Sequence, residues 1–258
     1  MSAAPCVFVL AGGTGGHVYP ALAVALALRA RGFAPRFRLY GRYFKPTMFC
    51  NLTSITPLMP ALPLPTLPMR GLRGKNFVQQ VQAMILLALS FLSSLLLVLR
   101  YRPKLVIGLG GYASVPAAVA AWCLRRPLLL QEQNAVAGSA NRFLSRFARC
   151  VTTGFPNVLT GHRDARYLGN PVRDDLQQIA TERPWNWNGQ RPLQILVLGG
   201  SLGARPLNEA LPVLAGALGE GCHWRHQCGS AHADGVRDAY AGVAGVASCV
   251  EPFIEDMG

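Results

Sequence analysis

Two distant stretches of this chain repeat one design. VFVLAGGTGGHVYPALAVAL (7–26) and ILVLGGSLGARPLNEAL (195–211) each run an apolar, strand-like segment into a glycine cluster with a hydroxyl residue, then into a segment of helical period. A third loop, GLGGYAS (108–114), follows the apolar KLVI. Strand, glycine turn, helix is the repeating unit of a parallel sheet covered by helices, so the chain is confined to the α/β class. The recurrence of the unit so far along implies two such domains.

The rest of the chain fits that class. Short apolar runs predict strands near 5–11, 35–40, 104–109, 127–131, 149–153, 194–198, 222–227 and 246–250. Helical periods predict helices near 17–31, 77–101, 116–125, 139–147 and 204–218. Prolines at 46, 57, 60, 63, 65 and 68 exclude a long helix between Gly41 and Gly74. A second break, from Gly169 to Pro192, precedes the repeated unit and sets the expected boundary, with domains at 1–170 and 171–258.

Charge is distributed unevenly. Residues 1–163 hold 18 Lys and Arg against one acid, Glu132, whereas residues 164–258 hold 7 against 11. A basic body of this kind attracts polyanions: nucleic acid, an anionic leaflet or a diphosphate substrate. An arginine-decorated, solvated surface is the plain alternative. Nucleic acid is the weakest partner, because the sequence lacks zinc-finger spacing, an RNP-type aromatic motif and a lysine-rich tail. The seven cysteines form no CxxC pair and read as reduced thiols. His223, His226 and Cys228 lie close together, but on an alternating strand they need not converge, so no metal site is expected.

From Phe77 to Leu99 there is no charge, and AMILLALSFLSSLLLVL (83–99) is almost wholly apolar. Because a buried-strand pattern and a glycine loop follow at once, the segment reads as a crossover or surface-lying helix before it reads as a membrane span. The first residues lack the basic start and cleavage site of a signal peptide, which predicts a cytoplasmic protein.

Glycine loops between a strand and a helix let backbone N–H groups meet a ligand without a Cβ in the way, and the helix start adds partial positive charge. Phosphate or diphosphate is the natural guest. None of the three loops is a Walker loop, and none fits GxGxxG with an acid about 20 residues on. Each could instead be a tight turn that lets helix and sheet pack closely; the threefold recurrence favours phosphate. His17, in the first turn after its loop, sits where the helix dipole favours the neutral imidazole, a possible proton acceptor, or it is a small polar cap. Glu132, at the carboxyl end of a strand, is a clamp for a sugar hydroxyl or the partner of an arginine.

AGGTGGHVYPALAVA, LPMRGLRGK, GLGGYASVPAAVAAW, QEQNAVAGSANRFLSRFA, LGNPVR, LGGSLGARPLN and PFIEDM, in that order, resemble the MurG family of peptidoglycan glycosyltransferases. The resemblance spans residues 5–257 and implies a GT-B fold: two Rossmann-like domains with parallel sheets facing across a cleft, here with the second incomplete. It implies inverting transfer of N-acetylglucosamine from UDP-GlcNAc to undecaprenyl-diphosphate-linked lipid I, at the cytoplasmic face of the inner membrane. It gives Gly12, Gly13, Gly110 and Gly111 to the acceptor diphosphate. Thr14, Gly15, Gly16, Asn134, Arg173, Ser201 and Ile254 match positions contacting the nucleotide sugar. His17 and Glu132 match polar groups of the cleft, with His17 the candidate base. Val81, Ile85, Phe91 and Trp122 would rest on the anionic leaflet. No metal or other cofactor is implied, since helix dipoles and amides can stabilise the departing UDP.

Family members continue for roughly another hundred residues, with a GALTxSE-type loop and a glutamine-rich stretch. Gln131 stands where the family usually has His, Leu202 where it has Gln, and the 41–66 segment matches poorly. The resemblance therefore leaves a second reading, an acceptor-binding membrane module that needs a separate donor-binding chain. A nucleotide-sugar epimerase on the same fold is a weaker third, disfavoured by GLRGK and QEQN.

Overall fold

The computed structural model describes residues 4–12, 15–40, 77–182, 187–190, 192–200 and 203–254. The proline-rich segment and the LPMRGLRGK motif lie outside the described residues, as does Leu202. The chain forms two compact units, Met1–Arg173 and Asp174–Gly258.

The first unit alternates strand and helix: β1 (Cys6–Gly12), α1 (Gly15–Ala30), β2 (Ala34–Tyr40), α2 (Phe77–Tyr101), β3 (Leu105–Gly108), α3 (Val115–Cys123), β4 (Leu128–Glu132), α4 (Ser139–Leu144), β5 (Cys150–Thr153) and β6 (Ala165–Tyr167). The six strands are parallel in the order β2-β1-β3-β4-β5-β6. In β1 the two-residue period divides the core. Val7, Val9 and Ala11 pack with Val18, Ala21, Leu22 and Ala25 of α1, while Phe8 and Leu10 pack with Val98 of α2 and Ala117, Ala118 and Ala121 of α3. One strand thus feeds cores on both faces, which is why nearly every residue of it is apolar.

Helix α2 is apolar all round, yet only one stripe of it is buried: Ala83, Ser90, Ser94 and Val98. Leu97 and Tyr101 pack partly against the core, while other apolar residues, among them Met84, Ile85, Leu92 and Leu96, face outward. Val81–Tyr101 is long and apolar enough to cross a membrane, with a mean hydropathy of 2.3 over its best window. Small residues on α2 and alanines on α3 let the two helices approach closely, so α2 is tied into the unit as a crossover.

The second unit contains α5 (Asp174–Glu182), β7 (Leu193–Leu198), α6 (Arg205–Leu218), β8 (Cys222–Gln227), α7 (Ala233–Ala241) and β9 (Ala247–Glu251). Its parallel sheet has the order β7-β8-β9. Cys222, Trp224 and His226 of β8 turn into a core with Ala215, Val236 and Tyr240, while His223 and Arg225 turn to the opposite, exposed face. His223 and His226 therefore point apart, and among the described residues no group of three or more His, Cys, Asp or Glu side chains could hold a metal ion.

Every expected strand and helix among the described residues is present, but three elements were not foreseen. β6 has only three residues, α5 (DDLQQIATE) is mostly polar, and α7 (ADGVRDAYA) is short, with three charged residues and a glycine. In α7 the buried side chains are Ala233, Val236 and Tyr240, at helical spacing but over only nine residues. The helix expected over 139–147 is α4 followed by a tight turn, Ser145–Phe147.

Candidate active site

In the first sheet β2 and β3 flank β1, so the chain reverses its winding between β1 and β3. Loops leaving the carboxyl ends of strands at such a point diverge to opposite faces and open a crevice, where α/β sheets place ligands. The loops after β1, β3 and β4 carry AGGTGGH, GLGGYAS and QEQN, so the topology gathers the motifs at one sheet edge.

Two of these loops meet backbone to backbone. Gly111 has φ +80°, and a Cβ added there would lie 2.7 Å from the carbonyl carbon of Gly12. Gly110, at φ +90°, supports the imidazole of His17: a Cβ at that position would be 3.0 Å from His17 Cε1 and 3.1 Å from Nδ1. Both glycines are therefore required by close approach within the protein. Gly12 ends β1 in the core, Gly15 opens α1, and Gly16 is exposed in its first turn. Gly13 and Thr14 lie outside the described residues.

His17 faces the loop after β4. Its Nδ1 lies 2.8 Å from Oε1 of Gln133, whose Nε2 donates to the carbonyl of Gln131 at 3.0 Å. Among the described residues, Nε2 of His17 makes no hydrogen bond. The ring thus presents one held nitrogen and one that is uncommitted among the described residues.

Glu132, expected to clamp a sugar hydroxyl or to pair with an arginine, is engaged by its own loop. It is 1% exposed, and its two oxygens accept four hydrogen bonds from its own neighbourhood. Oε1 takes the backbone N–H and Nδ2 of Asn134 at 3.0 and 2.8 Å, while Oε2 takes the backbone N–H of Gly138 and Nδ2 of Asn141, both at 3.0 Å. A buried carboxylate without a cation is tolerable because its acceptor sites are filled. The result is a loop bent around Glu132, running from β4 into α4. Asn134 is exposed at its rim.

The LGNPVR segment completes this framework. Asn170 Nδ2 donates to the carbonyl of Gln133 at 3.1 Å, and Gln131 Nε2 donates to the carbonyl of Gly169 at 3.2 Å. Gln131 Oε1 also accepts from the hydroxyl of Thr152. Arg173, half-buried, closes the segment. Gln133, Asn141, Thr152 and Asn170 had no individual role in the sequence reading; Gln133, Asn141 and Asn170 lie in motifs quoted there, and only the pairing of distant loops distinguishes them.

In the second unit the loop after β7 is likewise a packing device in part. A Cβ on Gly203 (φ +76°) would lie 2.6 Å from the carbonyl carbon of Cys228, and one on Gly199 would lie 2.8 Å from both Ala204 N and Gln227 O. Gly200 (φ +74°) has open space. The helix that follows, α6, has Ala204 as N-cap, and among the described residues no side chain caps its first N–H groups. Ile254 is buried, 3% exposed. Ser201 lies outside the described residues.

Residues 7–153 match the glycosyltransferase family 28 N-terminal domain. A UDP-N-acetylglucosamine--N-acetylmuramyl-(pentapeptide) pyrophosphoryl-undecaprenol N-acetylglucosamine transferase of Alkalilimnicola ehrlichii is 43% identical over 258 residues, covering 97% of this chain and 68% of that protein. The protein of the same name from Aeromonas hydrophila is 40% identical, covering 97% and 66%. The chain thus spans about two thirds of the length of these relatives. Among solved structures, Acinetobacter baumannii MurG superposes with a TM-score of 0.65 at 34% identity, over 98% of this chain and 69% of that one. A UDP-GlcNAc 2-epimerase from Neisseria meningitidis, bound to UDP-GlcNAc, reaches 0.58 at 12% identity over 96% and 73%, a likeness of fold alone. The glycine loops, the QEQN loop and LGNPVR thus fall within a match that runs along nearly the whole chain, and the chain belongs to glycosyltransferase family 28, among the MurG transferases.

Proposed function

We propose that this chain acts in the transfer of N-acetylglucosamine from UDP-GlcNAc to undecaprenyl-diphosphate-linked muramoyl peptide, lipid I to lipid II, with inversion. The observation that carries the reading is His17, held through Nδ1 by Gln133 with Nε2 uncommitted among the described residues, at the crevice where three glycine-bearing or polar loops converge. The acceptor hydroxyl gives its proton to His17 Nε2 as its oxygen bonds to the anomeric carbon. The bond from that carbon to the diphosphate oxygen breaks, and its electron pair leaves with UDP. Glu132 contributes by shaping the loop that holds Gln133 and Asn134.

Main-chain N–H groups at Gly12, Gly13, Gly110 and Gly111 take the acceptor diphosphate in this proposal. Thr14, Gly15, Gly16, Asn134, Arg173, Ser201 and Ile254 take the nucleotide sugar, a role resting on their motifs. The uncapped start of α6 supports a diphosphate partner in the second unit. The exposed apolar residues of α2, with Trp122 of α3 and the basic residues Arg100, Arg102 and Lys104, suit an anionic leaflet, which supports a peripheral position on the cytoplasmic membrane face.

A second reading, a membrane-bound acceptor module that works only with a separate donor-binding chain, is favoured by one observation. Among the described residues the second sheet has three strands, and Leu196, Leu198, His223 and Arg225 are exposed on one face of it, unusual for a parallel sheet. Incubating the purified chain with radiolabelled UDP-GlcNAc and a lipid I analogue separates the two. Transfer that falls on the order of 10²-fold or more in His17→Ala supports the enzyme. Full activity in that variant removes His17 as the base, and acceptor binding without turnover by the unaltered chain supports the module.

A further inference from the structure

We propose that Gln133 is a positioning residue that decides which nitrogen of His17 carries the proton. The argument begins with the amide, which has one accepting and one donating end. Its donating end, Nε2, lies 3.0 Å from the carbonyl of Gln131, a group that can only accept. Turning the amide over would set Oε1 against that carbonyl, so Oε1 is the end that faces His17 at 2.8 Å. An amide oxygen cannot donate, and therefore Nδ1 of His17 bears the hydrogen. In the neutral ring the lone pair is then on Nε2, the nitrogen without a hydrogen bond among the described residues. In water a histidine side chain prefers the other tautomer, so the protein has selected this one.

The selection is rigid because each partner is held from behind. Gln133 is 8% exposed, and its carbonyl accepts from Asn170 Nδ2 at 3.1 Å. Asn170 in turn packs against Gly154, where a Cβ would come within 2.5 Å of its Cγ. Gly110 lies against the imidazole and blocks any swing toward the β3 loop. The charged group nearest in sequence, Glu132, spends its four acceptor bonds on Asn134, Gly138 and Asn141 and makes none to the ring.

The choice of glutamine over glutamate has a chemical meaning. A neutral amide fixes the tautomer without adding a negative charge that would stabilise the imidazolium, so the ring stays able to accept a proton. This assignment rests on the proposal that His17 is the base, but its first test does not require activity.

The first measurement is long-range proton–nitrogen NMR correlation on the full chain with nitrogen-labelled histidine, His17 being assigned by its loss in His17→Gln. A protonated Nδ1 and a bare Nε2 are expected in the unaltered chain, with a shift toward the Nε2–H form in Gln133→Leu while the signals of His162 and His226 stay in place. An Nε2–H ring in the unaltered chain, or an unchanged tautomer in Gln133→Leu, overturns the proposal. Loss of the His162 and His226 signals would mean a folding defect, and the unaltered chain alone then decides. The second measurement is the pH profile of transfer. Gln133→Leu should lower kcat on the order of 10²-fold with KM for UDP-GlcNAc little changed. Gln133→Glu, which keeps the acceptor, should recover most of kcat at high pH but move the acidic limb of the profile upward by about one unit. Unchanged kcat in Gln133→Leu, or an unmoved acidic limb in Gln133→Glu, counts against the role. If the unaltered chain transfers no sugar, the enzymatic reading fails while the tautomer measurement still stands.

Discussion

Gly111 rests directly on Gly12: with φ at +80°, its Cα faces the Gly12 carbonyl so closely that a Cβ would lie 2.7 Å from the carbonyl carbon. Gly200 has a similar φ of +74° but open space around it. Alanine separates the two costs. Gly200→Ala carries only the left-handed backbone penalty, about 1–2 kcal/mol. Gly111→Ala adds a clash with main chain that cannot swing away, and should cost at least about 3 kcal/mol. Urea unfolding of the two variants measures the difference, and equal losses would mean that the loops do not abut as described.

Glu132→Gln tests whether the carboxylate acts as a scaffold. Both of its oxygens face two donors each, so an amide NH2 in either place meets N–H groups. We expect a loss of about 2–3 kcal/mol on unfolding, typical of buried donors left without acceptors. Hydrogen exchange should quicken at Asn134 and Gly138. Unchanged stability with lost activity would instead return Glu132 to a direct role.

His226 gives the second unit a pH dependence. It is fully buried on β8, Nδ1 lies 3.2 Å from the Tyr240 hydroxyl, and Nε2 has no partner among the described residues. Burial lowers its pKa below the ordinary 6.5 and pushes the Tyr240 hydroxyl up to about 12. Below pH 6.5 the unfolded chain takes up a proton that the folded chain refuses. Stability from this group is therefore complete above 6.5 and is lost as pH falls from 6.5 toward the lowered folded value. His226→Phe should flatten the stability profile in that window, read by urea unfolding at pH 7 and pH 5.5. An identical slope in the variant would show that other groups carry it.

The outward face of α2 predicts reversible membrane attachment. Leu92 and Leu96 are 54% and 67% exposed, so replacing them with Asp should leave folding intact. Each leucine withdrawn from the leaflet removes about 1.5 kcal/mol, roughly a tenfold fall in partitioning to anionic vesicles. Sedimentation with vesicles at low and high salt provides the measurement; salt should weaken binding through the basic residues at the end of the helix. Binding that is indifferent to both changes would point to another surface.

Some of this was legible in residue order because it depends on local pattern. The unbroken apolar runs Val7–Ala11 and Ile195–Leu198, the glycines after them and the helical periods beyond require only neighbours in sequence, and they set the class, the parallel sheets and the site's place at strand ends. Helices α5 and α7 escaped because each is only nine residues long, so its period spans too few residues to be told from a loop. What only tertiary structure decided is the work of individual side chains. Glu132 was visible as the sole acid of a basic stretch, but its role depends on Asn141 and Gly138, which the turn into α4 brings back against it. Gln133 is separated from His17 by 116 positions, and no periodicity links them. Their hydrogen bond exists because β3 inserts between β1 and β4 and sets both loops at one sheet edge, a consequence of strand order that no local preference encodes.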